Sequence, residues 1–359
     1  MNAVLQWSPR VGSPHLFEGP FWQGVARVVD RIDRLDVLRE HRLQLIAAAR
    51  RHELGQPVED DLAVEARAAA LAALAVPALL DRVRSTCSGR IVLFKGAEAA
   101  AAYPSPVLRP YVDLDVLVPD ATRATRELLA AGFVRVGEDR DYAGEHHGRP
   151  LAHPDVPISL EVHSRPKWVS GLEALPAAIV FERTVAAAPG VDGVEAPEPA
   201  VHAVLLAAHA WAELRPLGRL GDLVDVSATA ARGPEGEAGR IAHQVGLGRV
   251  WDATSAAADT LFLGRRRSWP LRTWARHLPQ ARERTVLDVH LMRLLSPFST
   301  FGSRAAFGAA GASALHTLRP SDAESWSAKL ARASSAVRDA GLARSEHESR
   351  LTDDGEEGK

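Results

Sequence analysis

Asp113 and Asp115 stand one residue apart in an apolar run, Tyr-Val-Asp-Leu-Asp-Val-Leu-Val over residues 111–118. This run constrains the fold more than any other feature of the chain. Side chains alternate along a strand, so both carboxylates project from one face with their Cα atoms about 7 Å apart, while Leu114 and Val116 bury on the other. Pro119 stops the run, and Asp120 is placed to cap a helix over residues 122–131. Such a strand needs neighbours. Residues 90–95 (Arg-Ile-Val-Leu-Phe-Lys), bounded by Gly89 and Gly96, read as a buried strand, and residues 133–136 and 158–163 as two more. Residues 98–103 suit a short helix ended by the Pro104-Ser-Pro106 turn. Strands interleaved with helices predict a small mixed-sheet α/β core over residues 88–168.

The flanks follow a different period. Val25, Val28, Val29, Ile32, Leu35 and Leu38 recur at helical steps among charged residues, Gly55-Gln56-Pro57 breaks the pattern, and a second helical stretch runs over residues 60–84. From Leu172 onward the pattern is again helical, over residues 199–214, 217–231, 239–257, 282–295 and 321–340. The predicted class is therefore α+β, in four parts: an N-terminal helical segment (1–87), the α/β core (88–168), a helical domain (169–343) and an acidic tail (344–359). The last 15 residues hold six acidic side chains and little to bury, which predicts disorder.

Composition excludes several function classes. A net charge of −2 argues against a protein whose whole surface is a nucleic-acid footprint. Cys87 is the single cysteine, so an intrachain disulfide, a cysteine zinc site and an iron–sulfur cluster are out; without a patterned His or Asn partner it reads as an inert thiol. The longest unbroken apolar run, residues 68–80, contains Pro77 and is shorter than the roughly 20 residues of a membrane span. No secretory signal is visible at the start, and the expectation is a cytoplasmic protein with no membrane partner. With only four lysines and abundant arginine, the basic stretch from Arg265 to Arg284 reads as a solvated helix face rather than a nucleic-acid site.

Two like charges in one cleft raise each other's pKa unless a cation neutralises them. Glu161, between Leu160 and Val162 on another strand, offers a third carboxylate. Oxygen ligands in small number favour Mg²⁺, which keeps waters and takes phosphate oxygens. Three carboxylates on two strands suit two Mg²⁺ ions and in-line displacement at phosphorus. Gly96 directly after a strand makes a turn whose N–H groups hold phosphate oxygens, with Lys95 and Arg109 adding charge for a triphosphate.

Taken together, Phe94-Lys-Gly-Ala97, Tyr103-Pro104, Arg109-Pro110, Asp113-Leu-Asp-Val-Leu-Val118 and Glu161-Val-His163 resemble the bacterial "uncharacterised nucleotidyltransferase" family of the polymerase-β-like superfamily. The resemblance runs over about residues 40–230, taking in His209 and Arg219-Leu-Gly-Asp222-Leu; Ala97 stands where the superfamily has Ser or Gly. It implies a polymerase-β-like core and a Mg²⁺-dependent transfer of an NMP group, AMP from ATP, onto an acceptor oxygen with release of pyrophosphate. Asp113, Asp115 and Glu161 would then be catalytic and bind the metals, while Lys95, Gly96, Ala97, Arg109 and His163 would bind the nucleotide. The helical domain would shape the pocket for a small molecule or peptide natural product as acceptor. Two alternatives stay open: a catalytically weak accessory protein that binds nucleotide or peptide, and a zinc hydrolase built on His146, His147, His153 and His163 around Glu161. His202 and His209, seven apart on one helix face, read as core histidines bonded to Asp222 or Asp225.

Overall fold

A computed structural model of the chain describes residues 16–137, 148–212, 217–265, 294, 296–318, 325–331 and 334–335. Four helices lead: α1 (Gly19–Val29), α2 (Leu35–Glu40), α3 (Gln44–Glu53) and α4 (Asp60–Thr86). Then come β1 (Ile91–Leu93), α5 (Ala97–Ala100), a single 3₁₀ turn at Pro106–Leu108, β2 (Asp113–Leu117) and α6 (Ala121–Ala130). The Asp120 side chain caps α6 by accepting from the Arg123 N–H. Strands β3 (Val134–Arg135), β4 (Leu151–His153) and β5 (Val156–His163) precede α7 (Ala177–Glu182), β6 (Thr184–Ala186) and β7 (Val194–Pro197). Helices α8 (Pro199–Ala212), α9 (Leu220–Ala230), α10 (Glu237–Gln244) and α11 (Gly248–Phe262) follow.

These strands form one mixed sheet in the order β3-β4-β5-β2-β1-β7-β6, with β2 at its middle. On one face Leu93, Leu114, Val116, Leu160 and Val162 pack against Leu79, Leu80 and Val83 of α4 and Leu128 of α6. On the other, Val92, Phe94 and Leu117 join a core with residues of α1, α3, α8, α9, α10 and α11. Helices from before and after the sheet therefore share one core: Val25 and Ile46 lie with Leu223 and Phe262. Strand β1 is apolar throughout because both its faces are covered, whereas β2 alternates because one face carries the half-buried Asp113 and the buried Asp115.

The chain divides into two compact units, Met1–Ala281 and Arg282–Lys359, and all of these elements belong to the first. Within the second, α12 (Ser303–Leu318) is described.

The fold is the expected α+β arrangement of a mixed sheet with flanking helices, but it has more strands than the sequence announces. β4, β6 and β7 have three or four residues each, and β6 and β7 lie where the pattern reads helical. Their strand character comes from pairing: β7 runs parallel to β1, and Pro197, which has no N–H to give, pairs near the edge with Thr184. The single helix expected over 239–257 is two, because Gly246 adopts φ +76° and ends α10 in the left-handed region. Helix α4 is long and apolar enough, by length and composition, to cross a membrane; its Val76, Leu79, Leu80 and Val83 are buried against the sheet. The basic stretch beyond Arg265, most of the helical readings over 282–295 and 321–340, and the tail lie outside the described residues.

A buried histidine ties the helices to the sheet. His202 of α8 is 1% exposed and donates from Nε2 to the Phe94 carbonyl at 2.6 Å. Its partner is thus a backbone carbonyl rather than Asp222 or Asp225. Burial, against the weaker help of that carbonyl, holds the imidazole pKa down at about 4. Below pH 6.5 the unfolded chain takes up a proton that the folded chain refuses, so this site's contribution is whole above pH 6.5 and is lost as pH falls towards 4. Equilibrium unfolding should show a His202-dependent loss of about 3 kcal/mol across that window. His202→Gln should flatten that part of the stability–pH curve.

Candidate functional site

Parallel pairing of β2 with β5 sets Asp113 beside Ser159, Asp115 beside Glu161 and Leu117 beside His163. Partners in register point to the same side, so Asp113, Asp115, Glu161 and His163 share one sheet face. One ligand atom from each of Asp115, Glu161 and His163 lies within 4.8 Å of the others. Nε2 of His163 is 3.0 Å from Oδ1 of Asp115 and 3.5 Å from Oε2 of Glu161. The ring of Phe94 packs edge-on against His163, with centroids 5.3 Å apart. His163, read from sequence as a nucleotide contact, therefore sits among the carboxylates.

The acidic face carries its own cations. Lys95 Nζ lies 3.2 Å from Oδ2 and 3.3 Å from Oδ1 of Asp115, which is itself only 1% exposed. Burial works against the Asp115 charge, but Lys95 first and His163 next outweigh it and hold this carboxyl far below the usual range. Asp113 goes the other way: burial and then the neighbouring Asp115 charge raise its pKa, against the opposing pull of Lys95. The His163 pKa is raised, since hydrogen bonds to Asp115 and Glu161 overcome its burial. His209 of α8 is half-buried.

Gly96 brings the chain back onto this face. Its φ of +59° with ψ of −118° suits glycine, and a Cβ there would stand 2.7 Å from the Asp113 carbonyl oxygen and 2.8 Å from Leu114 Cδ2. The turn joining Lys95 to Ala97 can lie against β2 only because residue 96 lacks a side chain.

Arg109 has a different set of partners from the triphosphate role read in the sequence. Its Nε and Nη2 each donate to Asp225 of α9 at 2.7 Å, and its Nη1 donates to the Gly96 carbonyl at 3.3 Å. The Tyr103 hydroxyl donates to Oδ1 of the same carboxylate at 2.7 Å. Burial disfavours the guanidinium, yet the Asp225 charge prevails and raises its pKa. Glu98, 3% exposed, accepts from the Ala188 N–H at 2.7 Å.

Asp225 and Glu98 carry no motif signal as single residues. The cue for Asp225 was its position on an apolar helix face, where a carboxylate needs a buried partner. Of the zinc alternative, His146 and His147 lie outside the described residues. His153 on β4 is held by Arg82, with Nη1 2.6 Å from Nδ1, outside the Asp115 cluster. Cys87 is buried, and burial pushes its thiol up to about 11, as an inert thiol requires.

The donor set fits a divalent cation. Its atoms are carboxylate oxygens with one imidazole, and the buried Asp115 Oδ2 makes no hydrogen bond besides its ion pair with the Lys95 ammonium. In the absence of such a cation, Asp115 depends on Lys95 and His163 for compensation. Asp115→Asn should therefore lower stability by about 3 kcal/mol, leaving the Lys95 ammonium without the carboxylate it faces. Asp113→Asn should leave stability equal or higher, because it removes the charge that burial and Asp115 disfavour. Urea unfolding of the two variants at pH 7 checks this opposite behaviour.

A sequence model of the family described as "Uncharacterised nucleotidyltransferase" matches residues 30–259. No curated protein and no solved structure matches the chain.

Proposed function

The chain belongs to the uncharacterised nucleotidyltransferase family and is an enzyme of that type, and from this premise we propose a Mg²⁺-dependent transfer of an NMP group, AMP from ATP, onto an acceptor oxygen. The observation that carries the reading is the single acidic face made by Asp113, Asp115 and Glu161 on paired parallel strands, with the Gly96 turn packed on the Asp113 carbonyl.

In this reading Asp113, Asp115 and Glu161 hold two magnesium ions. When bound, the ions supply charge for the triphosphate and for the acceptor oxygen. The acceptor oxygen attacks the α-phosphorus as the bond from that phosphorus to the bridging oxygen breaks. Pyrophosphate leaves with the electron pair of that bond. Glu161, more accessible than Asp115, takes the acceptor's proton. Lys95 and the N–H groups of Gly96 and Ala97 face the triphosphate, and His163 orients Asp115 and Glu161 through the contacts described. The reading takes a small molecule or peptide natural product as acceptor, in the cytoplasm where NTP is supplied.

Linkage tests the proposal. A ligand that binds only the folded state adds RT ln(1 + [L]/Kd), about 2.7 kcal/mol at a hundredfold excess over Kd. ATP should raise the melting temperature far more with Mg²⁺ than without it, because each ligand strengthens the other's binding. Asp113→Asn should remove that synergy, and His153→Ala, remote from the cluster, should keep it. An accessory binder would keep the synergy yet release no pyrophosphate with any acceptor. Absence of a Mg²⁺-dependent shift with all four NTPs at millimolar levels would overturn the reading.

A further inference from the structure

The Tyr103–Arg109–Asp225 network is a costly thing to bury: the three residues are 7%, 5% and 6% exposed. A buried ion pair is often no more stabilising than apolar residues of the same size, so what it offers the fold is its geometry more than its energy. The geometry supplies one. Asp225 takes Nε and Nη2 of the guanidinium, Tyr103 fixes the carboxylate, and the remaining nitrogen, Nη1, reaches the carbonyl of Gly96. That carbonyl belongs to the residue whose backbone lies against the Asp113 carbonyl and whose neighbour Lys95 pairs with Asp115. Helix α9, distant in sequence, thus holds a turn that lies against β2 beside the carboxylates.

We propose that Arg109 and Asp225 are positioning residues for the nucleotide's triphosphate: they act through the Gly96 carbonyl to set the Lys95–Gly96 turn against Asp113 and Asp115, without touching the phosphates themselves. This rests on the nucleotidyltransferase reading above and assigns the guanidinium an indirect role in it. Nucleotide affinity is then a property of the join between α9 and the turn, since a misplacement of about 1 Å at such a site can cost up to a hundredfold.

Two variants and two probes decide it. The double variant Arg109→Met/Asp225→Leu replaces both buried charges with apolar side chains of similar size, an exchange that is often neutral for stability. Arg109→Lys keeps the charge opposite Asp225 but lacks the fork needed to serve both carboxylate oxygens and the carbonyl. Melting temperature is measured beside calorimetric Kd values for MgATP and for magnesium tripolyphosphate, which has the phosphates and no base. The expected result is a double variant that melts within a few degrees of wild type and binds both probes about 10- to 100-fold more weakly, with Arg109→Lys weakened about tenfold. Folded variants that bind both probes as wild type does overturn the positioning role and leave the transferase reading standing. If both variants fail to fold, the pair is structural and the proposal is overturned. If the wild-type protein binds neither probe, the transferase reading fails and the positioning role fails with it.

Discussion

Register between β2 and β5 is the constraint from which the acidic face follows. In a parallel pair, side chains of partnered residues leave the sheet on the same side, so placing Asp115 beside Glu161 also brings His163 within reach of both. A slip of one residue would send Asp115 into the apolar layer beneath α4 and expose Leu114 and Val116 in its place. That slip is opposed by the whole inner face, where Leu114, Val116, Leu160 and Val162 are packed together. The same apolar residues that stabilise the sheet therefore keep the carboxylates in line.

Charge on this face is managed unequally. Asp115 is the deepest acid and has two cationic groups beside it; Asp113 lies nearer the surface and feels the repulsion of its neighbours. A crowded acidic cluster of this kind would strain the fold if its charge were unmet. Lys95, two residues beyond β1, and His163, at the end of β5, meet it from different strands of the sheet. The family is one of nucleotidyltransferases, which implies a nucleotide substrate.

The helices do more than cover the sheet. His202 holds the Phe94 carbonyl, and Arg109, pinned by Asp225, holds the Gly96 carbonyl. Two points of the chain two residues apart, just before α5, are thus fastened by a residue that lies 108 positions along in one case and by one that reaches through a partner 116 positions along in the other. The turn, with glycine at φ +59°, also has a local bond, from the Ala100 N–H to the Gly96 carbonyl, and the long-range bonds add to it.

What the sequence determined by itself was the strand at the centre and its two faces. Alternation around Asp113 and Asp115 and the in–out pattern at Glu161 depend on neighbours one residue away, and such short-range periodicity survives in the bare sequence. The Gly96 turn was legible for the same reason. The short strands β6 and β7 were not, because three or four residues carry too little preference to outweigh their surroundings, and their identity comes from pairing with β1 and with each other. Nor could local pattern show that Lys95 would neutralise Asp115, that His202 would find a backbone carbonyl, or that Arg109 would spend its donors on Asp225. Each of these depends on desolvation, which forces a buried polar group to take whichever partner the packed structure brings near. Only the tertiary structure decides which partner that is.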